Sequence, residues 1–266
     1  MAEVNYQTER EYRDKQNVFG HLHKSLTIND WLDQTYNQDL IRKNRYFRVA
    51  EKYLNTEKFL DVLEIAAGVG DFVVFCDKNF PQHNYFAHEL SEPQLKNNIY
   101  KVADYFGVSR IPKLSFGPVE NLNYESNRFD LIYIKASVHH FENPFKGFEE
   151  INRVLKPGGR VVFFEDPVCL NIPIYKYFKK KFFSLEEREK GINEHIYSTD
   201  EYESFGISFS KKFKYLDEEL VDEFDRQQQL RRGLKKFFGN FIRKSDSVFF
   251  NFMVWRFSPV IFVFEK

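Results

Sequence analysis

The amino-acid sequence predicts an α/β protein whose core is a mostly parallel β-sheet with helices on both faces. Between residues 60 and 166, short apolar segments alternate with segments whose apolar residues recur at helical spacing. Helix-capping residues begin these helical segments, and glycine or proline ends them. A glycine-containing turn follows the first apolar segment directly. Because strand-helix alternation returns each strand in the same direction, these three features predict parallel strands.

The predicted strands are VLEI (62–65), NYFAHE (84–89), KLSF (113–116), FDLIYI (129–134) and RVVFFED (160–166). One helix is predicted after Gly70, ending before Pro81. A second is capped by Ser91, closed by Gly107, and has an apolar face of Leu95, Ile99, Val102 and Phe106. A third begins at Asn143–Pro144 and ends at KPGG, with an apolar face of Phe145, Phe148, Ile151 and Leu155. Further strands are predicted within 207–216 and 247–266.

Residues 1–58 are polar with scattered aromatic residues, and they are predicted to form an N-terminal helical extension that serves as a lid. Its helical spacing is seen at Leu40, Tyr46, Phe47, Ala50 and Leu54. Residues 59–168 form the predicted core. Residues 169–266 are predicted to complete the same domain with a second lid segment and the final strands.

Bulk composition favours no highly charged partner. The chain has 266 residues, with 39 basic and 39 acidic side chains, and 42% of its residues are hydrophobic. A balanced charge gives no strong field towards nucleic acid or membranes. Cys76 and Cys169 have neither metal-ligand nor disulfide-framework spacing, so no metal is expected. No apolar run approaches the ~18 residues of a membrane span, and the polar start resembles no signal peptide, so a cytoplasmic location is expected.

The stretch LDVLEIAAGVGDF (60–72) contains the first candidate site. Its glycines could hold phosphates, hold another nucleoside-like ligand, or only make a tight turn. Val73 occupies the third glycine position of a dinucleotide fingerprint, and Glu64 would repel pyrophosphate but could accept from a ligand ammonium group. Glu89 ends the second predicted strand, 19 residues after Gly70, where an acid can accept both hydroxyls of a ribose. A packing turn and a solvated acid are the alternative interpretation.

Three segments resemble the class I S-adenosylmethionine-dependent methyltransferases. VLEIAAGVG is similar to the first motif of that family, and YFAHELSEPQL to its ribose-binding strand end. The longest similarity extends from GPVENLNY through KASVHHF and RVLKPGG to FFEDP. The resemblance implies a doubly wound, seven-stranded Rossmann-like sheet with an N-terminal helical extension and helical insertions, and S-adenosylmethionine as the cofactor.

The resemblance also implies which residues bind the cofactor. Glu64, Ala66, Gly68 and Gly70 would line its methionine end, Glu89 would accept from the ribose and Leu90 would contact adenine, while Lys135 and Ala136 would pass beneath the sulfonium. Ala66 replaces a usual glycine, and its methyl group is expected to be tolerated if φ is negative. Pro118 replaces a usual acid, so the N–H of Val119 or the carboxylate of Glu120 is expected to contact the adenine.

Methyl transfer from a sulfonium is an in-line displacement that depends on alignment, exclusion of water and, for some acceptors, a general base. His139 and His140, on the turn after the fourth strand, and Glu165 with Asp166, after the fifth, are candidate catalytic residues. The alternative to a catalytic role for each of these residues is a structural one: packing, hydrogen bonding to the backbone or helix capping. His195 could enter the site or order its own segment, and Cys169 is interpreted as a packed residue. Aromatic and histidine side chains of the extension could face the sulfonium or simply pack: Tyr6, Tyr12, Phe19, His21, His23 and Trp31.

The predicted function is therefore methyl transfer to an O, N or C centre of a small-molecule acceptor. The alternative is an RNA methyltransferase or RNA-binding relative that uses the basic, aromatic-rich segments 176–183 and 226–245. The same segments could dock on a membrane or a protein partner, or be solvated helix faces. A dehydrogenase is disfavoured by Val73, and a homo-oligomer is left open by the aromatic C-terminal strands.

Overall fold

The computed structural model describes residues 6–15, 26–169, 195–217 and 260–266. The helices are α1 (Tyr6–Lys15), α2 (Ile28–Asp33), α3 (Leu40–Leu54), α4 (Asp71–Asn79), α5 (Glu92–Lys96), α6 (Ile99–Phe106), α7 (Pro144–Val154) and α8 (Thr199–Phe205). A π-helical turn at Gln34–Gln38 joins α2 to α3. The strands are β1 (Asp61–Ile65), β2 (Asn84–Glu89), β3 (Lys113–Phe116), β4 (Phe129–Lys135), β5 (Leu155–Phe164), β6 (Val168–Cys169), β7 (Tyr197–Ser198), β8 (Lys211–Leu216) and β9 (Val260–Glu265).

Seven strands form one sheet in the order β3-β2-β1-β4-β5-β9-β8, and β6 pairs with β7 separately. The first five strands are parallel, whereas β9 runs antiparallel to both β5 and β8. The predicted α/β class and the doubly wound, mostly parallel sheet are therefore confirmed. The strand order reverses between β1 and β4, so the crevice at their carboxyl ends is the place where such sheets bind ligands.

The sheet separates two hydrophobic clusters because successive side chains of a strand point to opposite faces. Helices α3, α4 and α6 cover one face with Ala50, Phe72 and Val102, against strand residues such as Val62 and Tyr133. Helices α7 and α8 cover the other face. Its cluster includes Phe148 and Tyr202, packed with Leu63, Ile132, Phe163 and Phe262.

Three local predictions are wrong in detail. The helix predicted after Ser91 is divided into α5 and α6, because Asn98 Nδ2 donates to the carbonyl of Gln94 at 2.7 Å and the backbone leaves the helical conformation there. Leu155 begins β5 instead of ending α7. In α3, Tyr46, Ala50 and Leu54 are buried as expected, but Leu40 and Phe47 are exposed, so the buried stripe is narrower than predicted.

Several sequence predictions lie outside the described residues, including the basic segments 176–183 and 226–245, and Phe19, His21 and His23. Within the described part of the chain, no helix combines the length and apolar character needed to cross a bilayer. The same residues contain no group of three or more His, Cys, Asp or Glu side chains suited to a metal ion.

Candidate active site

Glu89, at the end of β2, is tied to the glycine turn that follows β1. Its Oε2 accepts a hydrogen bond from the N–H of Gly68 at 2.8 Å, and its Oε1 accepts from the N–H of Ser91 at 3.2 Å. The carboxylate is buried, with 3% of the residue exposed. The structure thus brings together the acid and the turn that the sequence predicted to share one ligand.

Glu64 is buried in β1, one residue before the strand ends, on the face covered by α4. Its Oε2 accepts from the N–H of Val73 at 2.8 Å. Its other oxygen, Oε1, is buried and has no hydrogen-bond partner among the described residues. Burial raises the pKa of Glu64 to about 8, opposed by the nearby charge of Lys135. A buried oxygen without a partner is costly, so a ligand donor at this position would be strongly favoured.

The two glycines of the turn, Gly68 and Gly70, have different surroundings. Both adopt left-handed backbone conformations, with φ of +59° at Gly68 and +82° at Gly70. A Cβ on Gly68 would meet only the amide nitrogen of Gln94, at 3.9 Å, so its side of the turn is open. A Cβ on Gly70 would overlap the Cδ1 atom of Ile99 in α6. Gly70 therefore permits the turn to pack on α6, and its α-carbon faces this helix instead of the crevice.

Ala66 also has a positive φ, +53°, so the condition under which its methyl group is expected to be tolerated, a negative φ, is not met. Ala136 and Glu165 share this conformation, at +51° and +65°. These residues follow β1, β4 and β5, three adjacent strands of the sheet. A non-glycine residue in the left-handed region costs roughly 1–2 kcal/mol. Clustered backbone strain of this kind is characteristic of functional sites.

The crevice beyond β3 has an open position at Gly117, which the sequence interpretation missed. Its φ is +138°, its N–H donates to the Glu89 carbonyl at 3.1 Å, and nothing lies within 4 Å of where a Cβ would stand. Val119, two residues after Gly117, is buried, and Leu90, directly after Glu89, is half-buried. Glu120 accepts from the N–H of Asn143 at 3.0 Å, and burial raises its pKa. This contact ties Glu120 to the start of α7, which argues against its expected contact with adenine.

Lys135 and Asp71 form an ion pair across the crevice, between the end of β4 and the first residue of α4. Tyr36, from the π-helical turn, donates its hydroxyl to the same Asp71 oxygen at 2.7 Å. Burial raises the pKa of Tyr36 well above its usual value, so this hydroxyl remains a donor. Neither Tyr36 nor Asp71 was singled out in the sequence, although Asp71 directly follows the glycine turn.

Glu165, a predicted catalytic residue, is held by the N-terminal helices. Tyr46 of α3 donates to Glu165 Oε2 at 2.8 Å, and Arg42 Nε and Arg45 Nη1 lie 4.0 and 3.8 Å from Oε1. Burial raises the pKa of the Tyr46 phenol well above its usual value. The carboxylate is thus engaged by three side chains of α3, which favours a structural over a chemical role.

His139 and Asp166 form a buried pair after β4 and β5. Asp166 Oδ1 lies 2.7 Å from His139 Nδ1 and also accepts from the His139 backbone N–H at 3.1 Å. A carboxylate at Nδ1 fixes the proton there, so Nε2 presents its lone pair. The His140 ring lies 4.0 Å away, centroid to centroid. His195 donates its backbone N–H to the His139 carbonyl at 2.9 Å and stacks its ring on Tyr197, so it orders this turn.

Helix α1 contributes to both rims of the crevice. Asp14 accepts from the Ser91 hydroxyl at 2.5 Å, and the buried Glu9 lies 3.7 Å from His140 Nδ1. Arg13 pairs with Glu9 at 2.7 Å. Burial works against the Arg13 charge, but the Glu9 and Glu89 carboxylates together raise its pKa. The sequence predicted a helical extension here but not these polar contacts.

Among the remaining predicted residues, Cys76 is a buried free thiol whose pKa is raised by burial, so it is inert. The side chain of Cys169 lies outside the described residues.

The sheet order, the glycine turn and the acid at the end of β2 are the features expected of the class I S-adenosylmethionine-dependent methyltransferase fold.

Comparison with known proteins supports this class. Residues 63–163 match the family model described as a methyltransferase domain. A demethylmenaquinone methyltransferase of Bacteroides fragilis is 30% identical over 151 residues, covering 56% of this chain and 60% of the relative. A ubiquinone/menaquinone biosynthesis C-methyltransferase of Geotalea daltonii is 28% identical over 206 residues, covering 76% and 79%. The chain thus spans about 60% of the length of the first of these relatives.

Solved structures agree on the fold. Phosphoethanolamine N-methyltransferase 2 of Haemonchus contortus, in complex with S-adenosylmethionine, superposes with a TM-score of 0.57 at 13% identity, covering 94% of this chain and 59% of that one. The YcgJ protein of Bacillus subtilis superposes with a TM-score of 0.55 at 17% identity, covering 84% and 98%. Both solved structures are under 25% identical to this chain, so these likenesses show a shared fold.

Proposed function

We propose that this chain is an S-adenosylmethionine-dependent methyltransferase that acts on a small-molecule acceptor. The observation that carries the proposal is the Glu89 carboxylate, buried at the end of β2 and fixed by the N–H of Gly68 and of Ser91. An acid held in this way remains available to accept the two hydroxyls of a ribose at the open edge of the sheet.

The neighbouring residues supply complementary parts of a cofactor pocket. Gly68 allows close approach of the ligand to the turn, and Gly117 leaves room for the adenine beside Glu89. Leu90 and Val119 supply apolar surface on the adenine side, and Ala66 and Ala136 form the floor beneath the sulfonium. The cofactor, when bound, supplies an activated methyl group.

His139 is the candidate general base and Asp166 is the residue that positions it. With the Nδ1 proton held by Asp166, His139 Nε2 accepts the proton of the acceptor hydroxyl, and the acceptor's electron pair forms a bond to the methyl carbon. The bound cofactor would supply the methyl group, and the electron pair of its carbon–sulfur bond would stay on the sulfur. The relatives named for quinone biosynthesis suggest a reduced quinone ring, whose carbon becomes nucleophilic when a ring hydroxyl is deprotonated. After methylation the ring carbon loses its own hydrogen as a proton and the ring oxygen regains one, which restores the aromatic ring.

Calorimetric titration with S-adenosylmethionine and with S-adenosylhomocysteine tests the proposal. Binding in the micromolar range, about −8 kcal/mol, is expected for the wild type. Glu89→Ala should abolish it, because the ribose loses its acceptor and the turn loses its tie at Gly68.

Glu92→Ala is the matched control, since Glu92 is an exposed carboxylate at the start of α5 that pairs with Lys96. This variant should bind as the wild type does. Equal binding by Glu89→Ala and the wild type would refute the ribose assignment, and no binding by the wild type would refute the proposed function.

A further inference from the structure

The imidazole rings of His139 and His140 lie side by side beyond the carboxyl end of β4. Both residues belong to the short 3-10 helix Val138–His140, and their ring centroids are 4.0 Å apart with an angle of 41° between the ring planes. The His139 side chain is 10% exposed and the His140 side chain 22%. Two groups that can accept protons are thus in contact, and the second of them is closer to solvent.

Each of the two rings has its own carboxylate, and the two carboxylates come from different parts of the fold. Asp166, after β5, lies 2.7 Å from His139 Nδ1. Glu9, in α1, places its Oε1 3.7 Å from His140 Nδ1, and only 2% of this residue is exposed. That distance is too long for a hydrogen bond, so Glu9 acts on His140 through its charge. A carboxylate beside each ring stabilises the imidazolium that forms when the ring accepts a proton.

The charges around Glu9 favour a positive charge on His140. Arg13 donates to Glu9 Oε1 from Nε at 2.9 Å and from Nη2 at 2.7 Å, which orients the carboxylate. The same guanidinium is within electrostatic reach of Glu89. One guanidinium between two carboxylates leaves one negative charge, and a proton on His140 would balance it. Asp166 supplies the corresponding negative charge for His139, so both rings can be charged at once.

Two neighbouring bases exceed what methylation at oxygen or nitrogen requires. Methylation of a hydroxyl or an amine releases one proton, and one base removes it. Methylation of an aromatic carbon needs a second proton acceptor, because the carbon that takes the methyl group must lose its own hydrogen before the ring is aromatic again. The two protons leave from a hydroxyl and from the ring carbon beside it, which are neighbours as the two imidazoles are.

We propose that His140, positioned by Glu9 of α1, is a second base that removes the hydrogen of the methylated ring carbon. This inference rests on the proposed function and names its acceptor as an aromatic carbon beside a hydroxyl. His140 Nε2 takes the proton, since Nδ1 lies on the Glu9 side. The electron pair of the carbon–hydrogen bond forms a ring double bond, and the carbonyl pair moves to the oxygen, which takes back the proton held on His139. His140 then releases its proton to water, so one proton leaves for each methyl group transferred.

Deuterium on the acceptor tests the inference in the wild type alone. The probe is 1,4-naphthalenediol with deuterium on both free carbons of its hydroxylated ring, assayed anaerobically with S-adenosylmethionine, and a sample without enzyme corrects for exchange with water. Mass spectrometry of the product should show one methyl group gained and one deuterium lost, because the methylated carbon gives up its own hydrogen isotope. An O-methyl product that keeps both deuterium atoms would overturn the inference and leave the proposed function standing.

Single-turnover kinetics separate the two bases. Formation of S-adenosylhomocysteine reports methyl transfer, and formation of the aromatic product reports loss of the ring hydrogen. His140→Gln should leave the first rate unchanged and slow the second by about a hundredfold or more. Glu9→Gln should slow the second rate by about tenfold, because it keeps the shape of the side chain and removes its charge. In both variants the deuterium isotope effect on the aromatic product should exceed that of the wild type, since breaking the carbon–hydrogen bond then limits the rate.

Glu11→Gln is the matched control for the substitution in α1. Glu11 lies on the same helix, its side chain is 74% exposed, and it pairs with Lys15. This variant should keep both rates. Glu9→Asp retains the negative charge and should be faster in the second step than Glu9→Gln, which a role in packing alone would not explain.

A His140→Gln variant that forms the aromatic product at the wild-type rate would overturn the inference. So would variants of His140 and Glu9 that slow both rates by one factor, since that would show general damage to the site. Either result would leave the proposed function standing, because the binding of S-adenosylhomocysteine and its dependence on Glu89 are measured without an acceptor.

Discussion

Glu89 and Gly68 are 21 residues apart in the chain and are joined by a hydrogen bond of 2.8 Å from backbone to carboxylate. This bond fixes the glycine turn after β1 relative to the end of β2. One acid therefore both shapes the crevice and remains placed to bind a ligand in it. Substitutions around the crevice consequently need readouts that separate folding from binding.

The pair of His139 and Asp166 should control methyl transfer without affecting cofactor binding. Asp166→Asn is expected to lower kcat by about a hundredfold or more, because the amide no longer fixes the proton on Nδ1. The affinity for S-adenosylhomocysteine should remain unchanged. Labelled S-adenosylmethionine with 1,4-naphthalenediol as the acceptor probe, assayed anaerobically across pH, measures this effect.

Asp130→Asn is the control, since Asp130 lies at the amino end of β4 and pairs with Lys58 and Lys156. It should keep the wild-type kcat. An Asp166→Asn variant as fast as the wild type would exclude Asp166 as the positioning residue.

Glu64 should make the protein less stable as pH rises towards 8. Burial raises its pKa from 4.5 in the unfolded chain to about 8 in the folded one, so the folded state holds a proton that the unfolded state has lost. This contribution to the free energy of unfolding is complete below pH 4.5 and is lost as pH rises through about 8, by on the order of 5 kcal/mol.

Glu64→Gln removes this titration, and urea unfolding at several pH values measures the difference between the two proteins. His88 titrates in the opposite sense, because burial lowers its pKa to about 4, but it is present in both proteins and cancels. Parallel stability curves for the wild type and Glu64→Gln between pH 5 and 8 would show that the buried carboxyl is ionised.

Gly70 and Gly158 provide a matched test of packing behind the turn. Gly70→Ala combines left-handed strain with the contact to Ile99, and should lower the free energy of unfolding by about 2–4 kcal/mol. Gly158→Ala has a similar φ, +75°, with nothing within 4 Å, so only the strain of about 1–2 kcal/mol applies. Urea denaturation compares the two, and equal losses would mean that α6 moves to accommodate the methyl group.

The parallel part of the sheet could be predicted from the sequence because each of its strands has a local pattern of apolar residues. Four of the five core strands begin within a residue of their predicted starts, since buried runs and strand-end acids are visible in the chain. The division of α5 from α6 was missed because it depends on one side-chain contact, from Asn98 to the Gln94 carbonyl.

The site was predicted only where a motif is short and contiguous. Glu64, Gly68 and Glu89 follow from the turn and the strand end. In the structure a hydrogen bond joins Gly68 to Glu89, and Glu64 accepts from the N–H of Val73 in α4. The ion pair of Lys135 with Asp71 joins residues 64 apart, and Tyr46 meets Glu165 across 119. Such contacts cannot be predicted from sequence periodicity, because they depend on how the N-terminal helices pack against the sheet.

Helix α1 is hydrogen-bonded to Ser91, which follows β2, and it approaches His140, which follows β4. In the sheet, β1 lies between β2 and β4. The helix therefore crosses above the glycine turn. If a nucleoside binds on that turn, as proposed, this first helix would cover it. Exchange of the cofactor would then require the helix to move, and the rate of that movement would set an upper limit on turnover.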